Sequence, residues 1–344
     1  MMNAWRYGSL AMLIMIGTLL GGCQEDDSAP STLAVDSVHK ADQGWPRTLM
    51  TIEGPVTLER PPKRIVSTSV TLTGTLIALD APVVASGATT PNTEVANAQG
   101  FFRQWSEQAK SRGIKPLYTT EPNAEAIVAA NPDLIVIAAT GADSALPLYQ
   151  QLQAIAPTIV VHYDDKNWMT LTTLFGDFLG LEQQAKERLK TFEENVAYFK
   201  ANATLPPQPT TAMVYYKDNT GANIWTKASA QGQILSELGF TLAPLPESVK
   251  GDISMGERSD IVTVSGERFP DAVTGHTALL FSAESEQVKQ VMSNGYLSET
   301  APVLGQQIYA VGNDTFRMDY YSASNLVERL ANYFVNDSVA HNEH

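Results

Sequence analysis

The sequence predicts an α/β protein made of two similar lobes that are joined by one long helix. Short apolar strands alternate with helical patterns along most of the 344 residues, which is typical of mostly parallel, helix-covered sheets. One helical pattern, near residues 168–200, is longer than any other. The order of an acidic residue, a short helix, a loop and an apolar strand also occurs twice, beginning at Glu125 and at Glu267.

The chain begins with a segment typical of bacterial export. Arg6 precedes an apolar run from Leu10 to Leu20, which is too short to span a membrane. The run ends in Leu20-Gly21-Gly22-Cys23, which resembles the lipobox of bacterial lipoproteins. We therefore predict a lipoprotein signal peptide over residues 1–22 and lipidation of Cys23, which would hold the protein at a membrane surface. A plain secretory signal with an incidental cysteine is the alternative.

The composition limits the classes of function. A net charge of −14 argues against nonspecific binding to nucleic acid, which needs a basic surface. One cysteine excludes a disulfide framework and any multi-cysteine metal site. A hydrophobic content of 44% can fill packed cores. Because residues 24–44 are polar and lack apolar periodicity, we interpret residues 23–44 as a lipid-anchored, flexible tether.

The predicted N-terminal α/β lobe covers residues 45–165. Its predicted strands are residues 51–58, 64–69, 83–87, 134–138 and 158–162, and its predicted helices are residues 71–79, 101–112, 123–130 and 146–154. A linking helix over residues 166–202 follows. Its apolar residues recur at steps of three and four from Leu171 to Val196, and Gly176 and Gly180 weaken it locally.

The predicted C-terminal α/β lobe covers residues 203–336, and residues 337–344 form a tail. Its predicted strands are residues 211–215, 224–226, 278–282 and 307–311, and its predicted helices are residues 231–238, 287–292 and 322–334. Ligands of α/β proteins bind at the loops that follow the carboxyl ends of strands. We therefore expect loops of both lobes to face a shared cleft.

Several long strings give the mature chain a resemblance to a known family. The most specific is Arg64–Gly74 (RIVSTSVTLTG), and the others are residues 81–83, 85–92, 99–105, 205–209, 229–233 and 315–323. Over nearly its full length, the chain resembles the periplasmic ferric enterobactin-binding proteins of bacterial ABC iron importers. The resemblance implies the bilobed periplasmic siderophore-binding fold, in which one long helix joins two Rossmann-like lobes.

The resemblance also implies a function. A protein of this family binds ferric enterobactin, or a related ferric catecholate siderophore, in the periplasm and delivers it to an ABC permease and its ATPase. It is a monomer, needs no cofactor and is not an enzyme. The lipobox departs from the freely soluble form that is usual in the family. It places this protein in the periplasm with a lipid anchor in a bacterial membrane.

The implied ligand is an anionic tris-catecholate whose iron is already fully coordinated, so the protein supplies no metal ligand. It needs cations near the catecholate oxygens and aromatic faces against the rings, which arginine and aromatic side chains provide. The candidate contacts are Arg317, Trp225, Arg103, Arg258, Phe316, Tyr321 and Lys217. Arg317 is the first candidate for a ligand contact because it follows a predicted strand and precedes the last helix. The alternatives are a surface ion pair for Arg317 and core packing for Trp225.

Three glutamates extend the comparison. Where related proteins carry an arginine that faces the ligand, this chain has Glu94, so its affinity or its preferred catecholate is expected to differ. Glu125 and Glu267 match the pair that, in related systems, docks onto arginines of the permease. The alternative is that both are ordinary glutamates at helix starts, where the helix dipole favours them.

Two other functions remain as alternatives. The nearest is a haem-binding protein, or a binder of another siderophore, with the same fold, in which Tyr320 or Tyr321 would be the axial ligand of haem. The alternative from a different class is a secreted α/β hydrolase. The sequence contains no Gly-x-Ser-x-Gly elbow, Walker loop or Gly-x-Gly-x-x-Gly fingerprint, which does not favour an enzyme.

Overall fold

The computed structural model describes residues 36–41, 44–163, 166–216, 218, 220–249 and 259–335. The predicted signal peptide, most of the tether, Cys23, Lys217, Arg258 and the C-terminal tail lie outside these residues. Within the described ranges, no helix combines the length and the apolar character needed to cross a membrane.

A small antiparallel sheet precedes the first lobe. Its three strands, in spatial order, are β1 (Val38–Lys40), β2 (Arg47–Thr51) and β3 (Gly54–Leu58). The strand predicted over residues 51–58 is corrected here, because a tight turn separates β2 from β3. The Thr51 hydroxyl donates to the carbonyl of Gly54 at 2.9 Å and accepts from the amide of Glu53 at 3.2 Å, which stabilises that turn.

The first lobe is a parallel five-stranded sheet in the order β6-β5-β4-β7-β8. In chain order its elements are β4 (Ile65–Ser67), α1 (Val70–Ala78), β5 (Val83–Ala88), α2 (Arg103–Ser111), β6 (Lys115–Thr119), α3 (Ala124–Ala129), β7 (Leu134–Ala138), α4 (Tyr149–Leu152) and β8 (Thr158–Val161). The predicted alternation is confirmed. Ser69 and Asn123 begin α1 and α3 by accepting hydrogen bonds from the amides of Leu72 and Ala126.

The predicted linking helix is divided into α5 (Trp168–Leu179) and α6 (Glu182–Asn202). Gly180 ends α5 in the left-handed conformation, with φ of 75°, so the helix is not continuous. The indole of Trp45 fills the break, because a Cβ on Gly180 would come within 2.9 Å of it. Arg47 crosses the break by donating to the carbonyl of Asp177 and to the Glu182 carboxylate.

The second lobe has a mixed five-stranded sheet in the order β11-β10-β9-β12-β13. In chain order its elements are β9 (Thr210–Tyr215), β10 (Gly221–Trp225), α7 (Ala230–Glu237), β11 (Ile261–Ser265), α8 (Phe269–Ala272), β12 (Thr277–Leu280), α9 (Ser285–Ser293), α10 (Ala301–Leu304), β13 (Ile308–Ala310) and α11 (Tyr320–Phe334). Strands β9, β12 and β13 are parallel, and β10 is antiparallel to both of its neighbours. A short hairpin connection between β9 and β10 requires that direction.

The two lobes share an internal order. The repeated acidic segments are followed by β7 in the first lobe and by β12 in the second. Each of these strands pairs in parallel with the first strand of its own sheet, β7 with β4 and β12 with β9. Glu125 lies in the first turn of α3, the helix that follows β6, and Glu267 lies in the short 3₁₀ helix that follows β11. Both β6 and β11 are edge strands. The similarity seen in the sequence therefore corresponds to equivalent positions in the two sheets.

Candidate functional site

An aromatic and cationic column connects the two lobes. Trp225 ends β10, and its ring centroid lies 5.7 Å from that of Phe316. The guanidinium carbon of Arg317 lies 5.6 Å from the ring centroid of Phe316 and 5.6 Å from that of Tyr163. Tyr163 follows β8 of the first lobe, so the four residues span both lobes. We call Trp225, Phe316, Arg317 and Tyr163 the Arg317 column.

Arg317 is the cation of this column that is open to a ligand. Both Arg317 and Phe316 are exposed, and within the described parts of the chain no carboxylate forms an ion pair with Arg317. Its guanidinium lies over two ring faces while its N–H groups are able to donate to oxygens of a ligand. This geometry favours anion binding over the surface ion pair that was the alternative.

Trp225 is largely a core residue. It is 6% exposed and packs against Phe281 at 6.5 Å as well as against Phe316. Its indole nitrogen is buried, and no partner for it is found among the residues that the structure describes. Most of the indole surface of Trp225 is therefore packed in the core. Within the Arg317 column, Trp225 supports the ring of Phe316.

Tyr163 was missed by the sequence analysis. The signal was present, because Tyr163 follows the predicted strand 158–162 at its carboxyl end, where ligand-contacting residues are expected. What the sequence could not show is that this end lies against Arg317, a residue of the other lobe.

A buried carboxylate joins the lobes beside the column. Asp319 begins α11, accepting from the amide of Ser322 at 2.9 Å, and its Oδ2 accepts from Gln104 of α2 at 3.3 Å. Gly74 of α1 makes this approach possible, because a Cβ there would collide with the Asp319 carboxylate. Burial raises the pKa of Asp319 to about 6, although the hydrogen bonds from Ser322 and Gln104 oppose the shift.

Tyr321 lies outside the Arg317 column, and its role as a ligand contact stays a prediction. The first turn of α11 packs against the first lobe and places Tyr321 against that lobe's apolar core. Burial raises the pKa of Tyr321 to about 12, with Arg112 and Arg188 opposing the shift. Tyr320 lies under the Arg188 guanidinium at 5.5 Å and packs on Trp168 at 6.0 Å. Both tyrosines therefore serve as contacts inside the protein.

Arg103 lies in a separate crevice of about 450 Å³ between the lobes. Its guanidinium donates to the carbonyl of Thr93 at 2.8 and 3.2 Å. The described residues that line this crevice are Glu94, Arg103, Gln104, Asn313, Asp314, Asn325 and Arg329. Because Arg329 forms an ion pair with Asp314 and Glu94 lies near Arg103, the crevice contains balanced charges. We therefore expect this crevice to bind an anion less strongly than the site around Arg317.

Glu125 and Glu267 are both exposed, one on each lobe. Each follows the carboxyl end of an edge strand, which is the same end that carries Tyr163 in the first lobe. Among the described residues, no group of three His, Cys, Asp or Glu side chains is placed to hold a metal ion.

Comparisons with known proteins agree with this architecture. The profile of the periplasmic binding protein family matches residues 65–314. The chain is 48% identical over 322 residues to FepB, a ferric enterobactin-binding periplasmic protein of Escherichia coli O6:H1 strain CFT073, and the match covers 94% of this chain and 97% of FepB.

Solved structures show the same fold. The crystal structure of holo-ViuP is similar with a TM-score of 0.75 and 32% identity, covering 85% of this chain and 96% of ViuP. The structure of BSU3320 from Bacillus subtilis is similar with a TM-score of 0.61 and 20% identity, covering 80% and 96% of the two chains. BSU3320 is described as a periplasmic binding protein component of a Fep/Fec-like ferrichrome ABC transporter with the FhuD fold.

Proposed function

This chain belongs to the periplasmic binding protein family, and we propose that it binds ferric enterobactin, or a closely related ferric catecholate, and delivers it to an ABC importer. The Arg317 column is the observation that supports this ligand class. An exposed guanidinium held between aromatic faces suits a ligand that is both anionic and aromatic. The function is binding and delivery without chemical change of the ligand.

The remaining parts of the proposal concern location and partners. The predicted tether over residues 23–44 is corrected at its end, because β1 (Val38–Lys40) pairs with β2. A lipid anchor on Cys23 and a tether that ends before β1 would keep the binding lobes near a membrane in the periplasm. The partners are an ABC permease and its ATPase, and the protein acts as a monomer with no cofactor. The iron arrives already held by the siderophore, and Phe316 contacts the ligand beside Arg317. Arg103, in its own crevice, remains a predicted contact.

A fluorescence titration tests the ligand class. We expect ferric enterobactin to quench the tryptophan fluorescence of the mature protein and to saturate it below about 1 μM. A ferric hydroxamate complex and haem, added at the same concentrations, should not compete, because a hydroxamate has no aromatic ring and the charges of haem lie on its propionates and not on its ring. Absence of quenching by the catecholate at micromolar concentrations would contradict the proposal, and saturation by haem instead would favour the haem-binding alternative.

The proposed docking glutamates lead to a transport prediction. We expect Glu125→Ala combined with Glu267→Ala to leave the siderophore affinity unchanged and to reduce uptake by roughly tenfold, because charged groups at an interface guide and orient the encounter. Uptake of the labelled ferric siderophore by cells that depend on this protein is the measurement.

The matched control replaces two other exposed glutamates, Glu59→Ala with Glu299→Ala, and changes the net charge equally. Normal uptake is expected for this control. If the two double variants transport at the same rate, the docking assignment is wrong. If the Glu125 and Glu267 variant loses siderophore binding, these residues have a structural role instead.

A further inference from the structure

Phe316 and Arg317 lie on a segment with little regular structure. Residues 312–319 join β13 to α11 and contain one short 3₁₀ turn, Asn313–Thr315. A side chain that contacts a ligand from such a segment binds well only if its surroundings hold it in place. Ser322 provides one support, because its hydroxyl donates to the carbonyl of Arg317 at 3.0 Å.

Gln231 of α7 provides a second support from another element. Its side chain is buried, and its Nε2 lies 2.9 Å from the carbonyl oxygen of Phe316 and 3.2 Å from that of Thr315. One amide group therefore donates to two consecutive carbonyls of the segment. Thr315 is fully buried, so water is poorly placed to replace Gln231 as its hydrogen-bond donor.

Hydrogen bonds of Ser229 hold the start of α7 close to Trp225. Ser229 begins the helix by accepting from the amide of Gly232 at 2.9 Å, and its hydroxyl donates to the carbonyl of Thr226 at 2.6 Å. Thr226 directly follows Trp225 at the end of β10. Gln231 thus connects the strand end that carries Trp225 to the segment that carries Phe316 and Arg317.

We propose that Gln231 is a positioning residue for the Arg317 column. It holds Phe316 and Arg317 in place relative to Trp225 before the ligand arrives, so that binding does not have to order the segment. Gln231 acts through these residues and does not contact the ligand. This inference rests on the proposed function, since the column is its binding site.

The test compares Gln231→Met with a matched control in the full mature protein. Methionine has a similar volume and cannot donate to the two carbonyls. Thr277→Val is the control, because it removes one buried hydrogen bond of the same lobe, from Thr277 to the carbonyl of Pro207 at 2.7 Å. We expect Gln231→Met to weaken the binding of ferric enterobactin about tenfold, and Thr277→Val to change it less than twofold.

Hydrogen exchange measured without ligand supplies an independent readout. Amides of residues 312–319 should exchange faster in Gln231→Met than in the unmodified protein, and Thr277→Val should leave them unchanged. If methionine prevents folding, Gln231→Asn shortens the amide's reach and is expected to act in the same direction. Unchanged exchange in the segment would overturn the inference, and so would unchanged affinity.

A double variant separates positioning from general destabilisation. In an Arg317→Ala background, the loss caused by Gln231→Met should shrink to less than about threefold, because the side chain that it positions is gone. An equal loss in both backgrounds would overturn the inference. Failure of the unmodified protein to bind would overturn the proposed function itself, whereas equal binding by the unmodified and Gln231→Met proteins would overturn only the role of Gln231.

Discussion

Replacing Arg317 with alanine should weaken the binding of ferric enterobactin by roughly 100-fold. Hydrogen bonds from a charged donor contribute about 1.5–3 kcal/mol each, and the guanidinium lies over two aromatic rings and forms no ion pair with a carboxylate of the described residues. A loss of about 2.7 kcal/mol corresponds to this change in the dissociation constant. Fluorescence titration of the purified variant provides the measurement.

The control for this prediction is Arg60→Ala, which changes the net charge equally at an exposed position after β3. It should alter the affinity less than twofold. Arg317→Lys should recover part of the loss, since lysine keeps the charge but lacks the planar fork. Equal effects of Arg317→Ala and Arg60→Ala would show that Arg317 contributes only to the general field of the protein.

The second large effect concerns pH and stability. Burial raises the pKa of Asp319 from its usual 3.8 to about 6, so the folded protein keeps this proton over a range in which the unfolded chain has released it. Because the folded state then binds more protons, the contribution of Asp319 to stability falls as pH rises from about 4 to about 6. The full difference corresponds to about 3 kcal/mol.

Asp319→Asn should abolish this contribution. Asparagine can still begin α11 by accepting from the amide of Ser322, and it carries no charge to bury. Denaturant unfolding at pH 4, 5, 6 and 7 should therefore show a free energy of unfolding for the variant, relative to the unmodified protein, that rises with pH. Other carboxylates do not confuse this comparison, since both proteins contain them.

Asp271→Asn, at an exposed position, is the control and should follow the pH profile of the unmodified protein. Parallel profiles for Asp319→Asn and the unmodified protein would contradict the prediction. A loss of stability in Asp319→Asn that is the same at every pH would instead show that the hydrogen bond from Gln104 to the carboxyl group stabilises the fold independently of charge.

Much of the fold was predictable from local pattern. Strands β4, β5, β7 and β8 are short apolar runs, and they lie where the sequence placed them. Strands β6 and β11 were missed because they bury little of their surface, whereas β8, which is also an edge strand, is fully buried. Strand β6 even contains Pro116, which is tolerated at an edge because no neighbouring strand needs its missing N–H.

The prediction of one long helix was wrong for a different reason. Apolar spacing continues through Gly180, so periodicity alone predicts one helix over residues 166–202. Two residues from a distant part of the chain contact the break: the indole of Trp45 packs against Gly180, and Arg47 donates to Glu182 across it.

Glu182 is ionised at this break. Burial would raise its pKa, but hydrogen bonds from Lys40 and Arg47 outweigh burial and lower the pKa to about 2.

By itself, the sequence determined the class of the fold and the two lobes, because local spacing and composition are displayed directly by a single chain. The residue types suited to an anionic aromatic ligand were implied by its resemblance to a known family. Only the tertiary structure decided that Arg317 meets Tyr163 and that Arg103 and Tyr321 lie elsewhere. It also brought Asp319 to Gln104, 215 residues away along the chain. Such pairings depend on how two sheets pack together, and no periodicity within either partner encodes them.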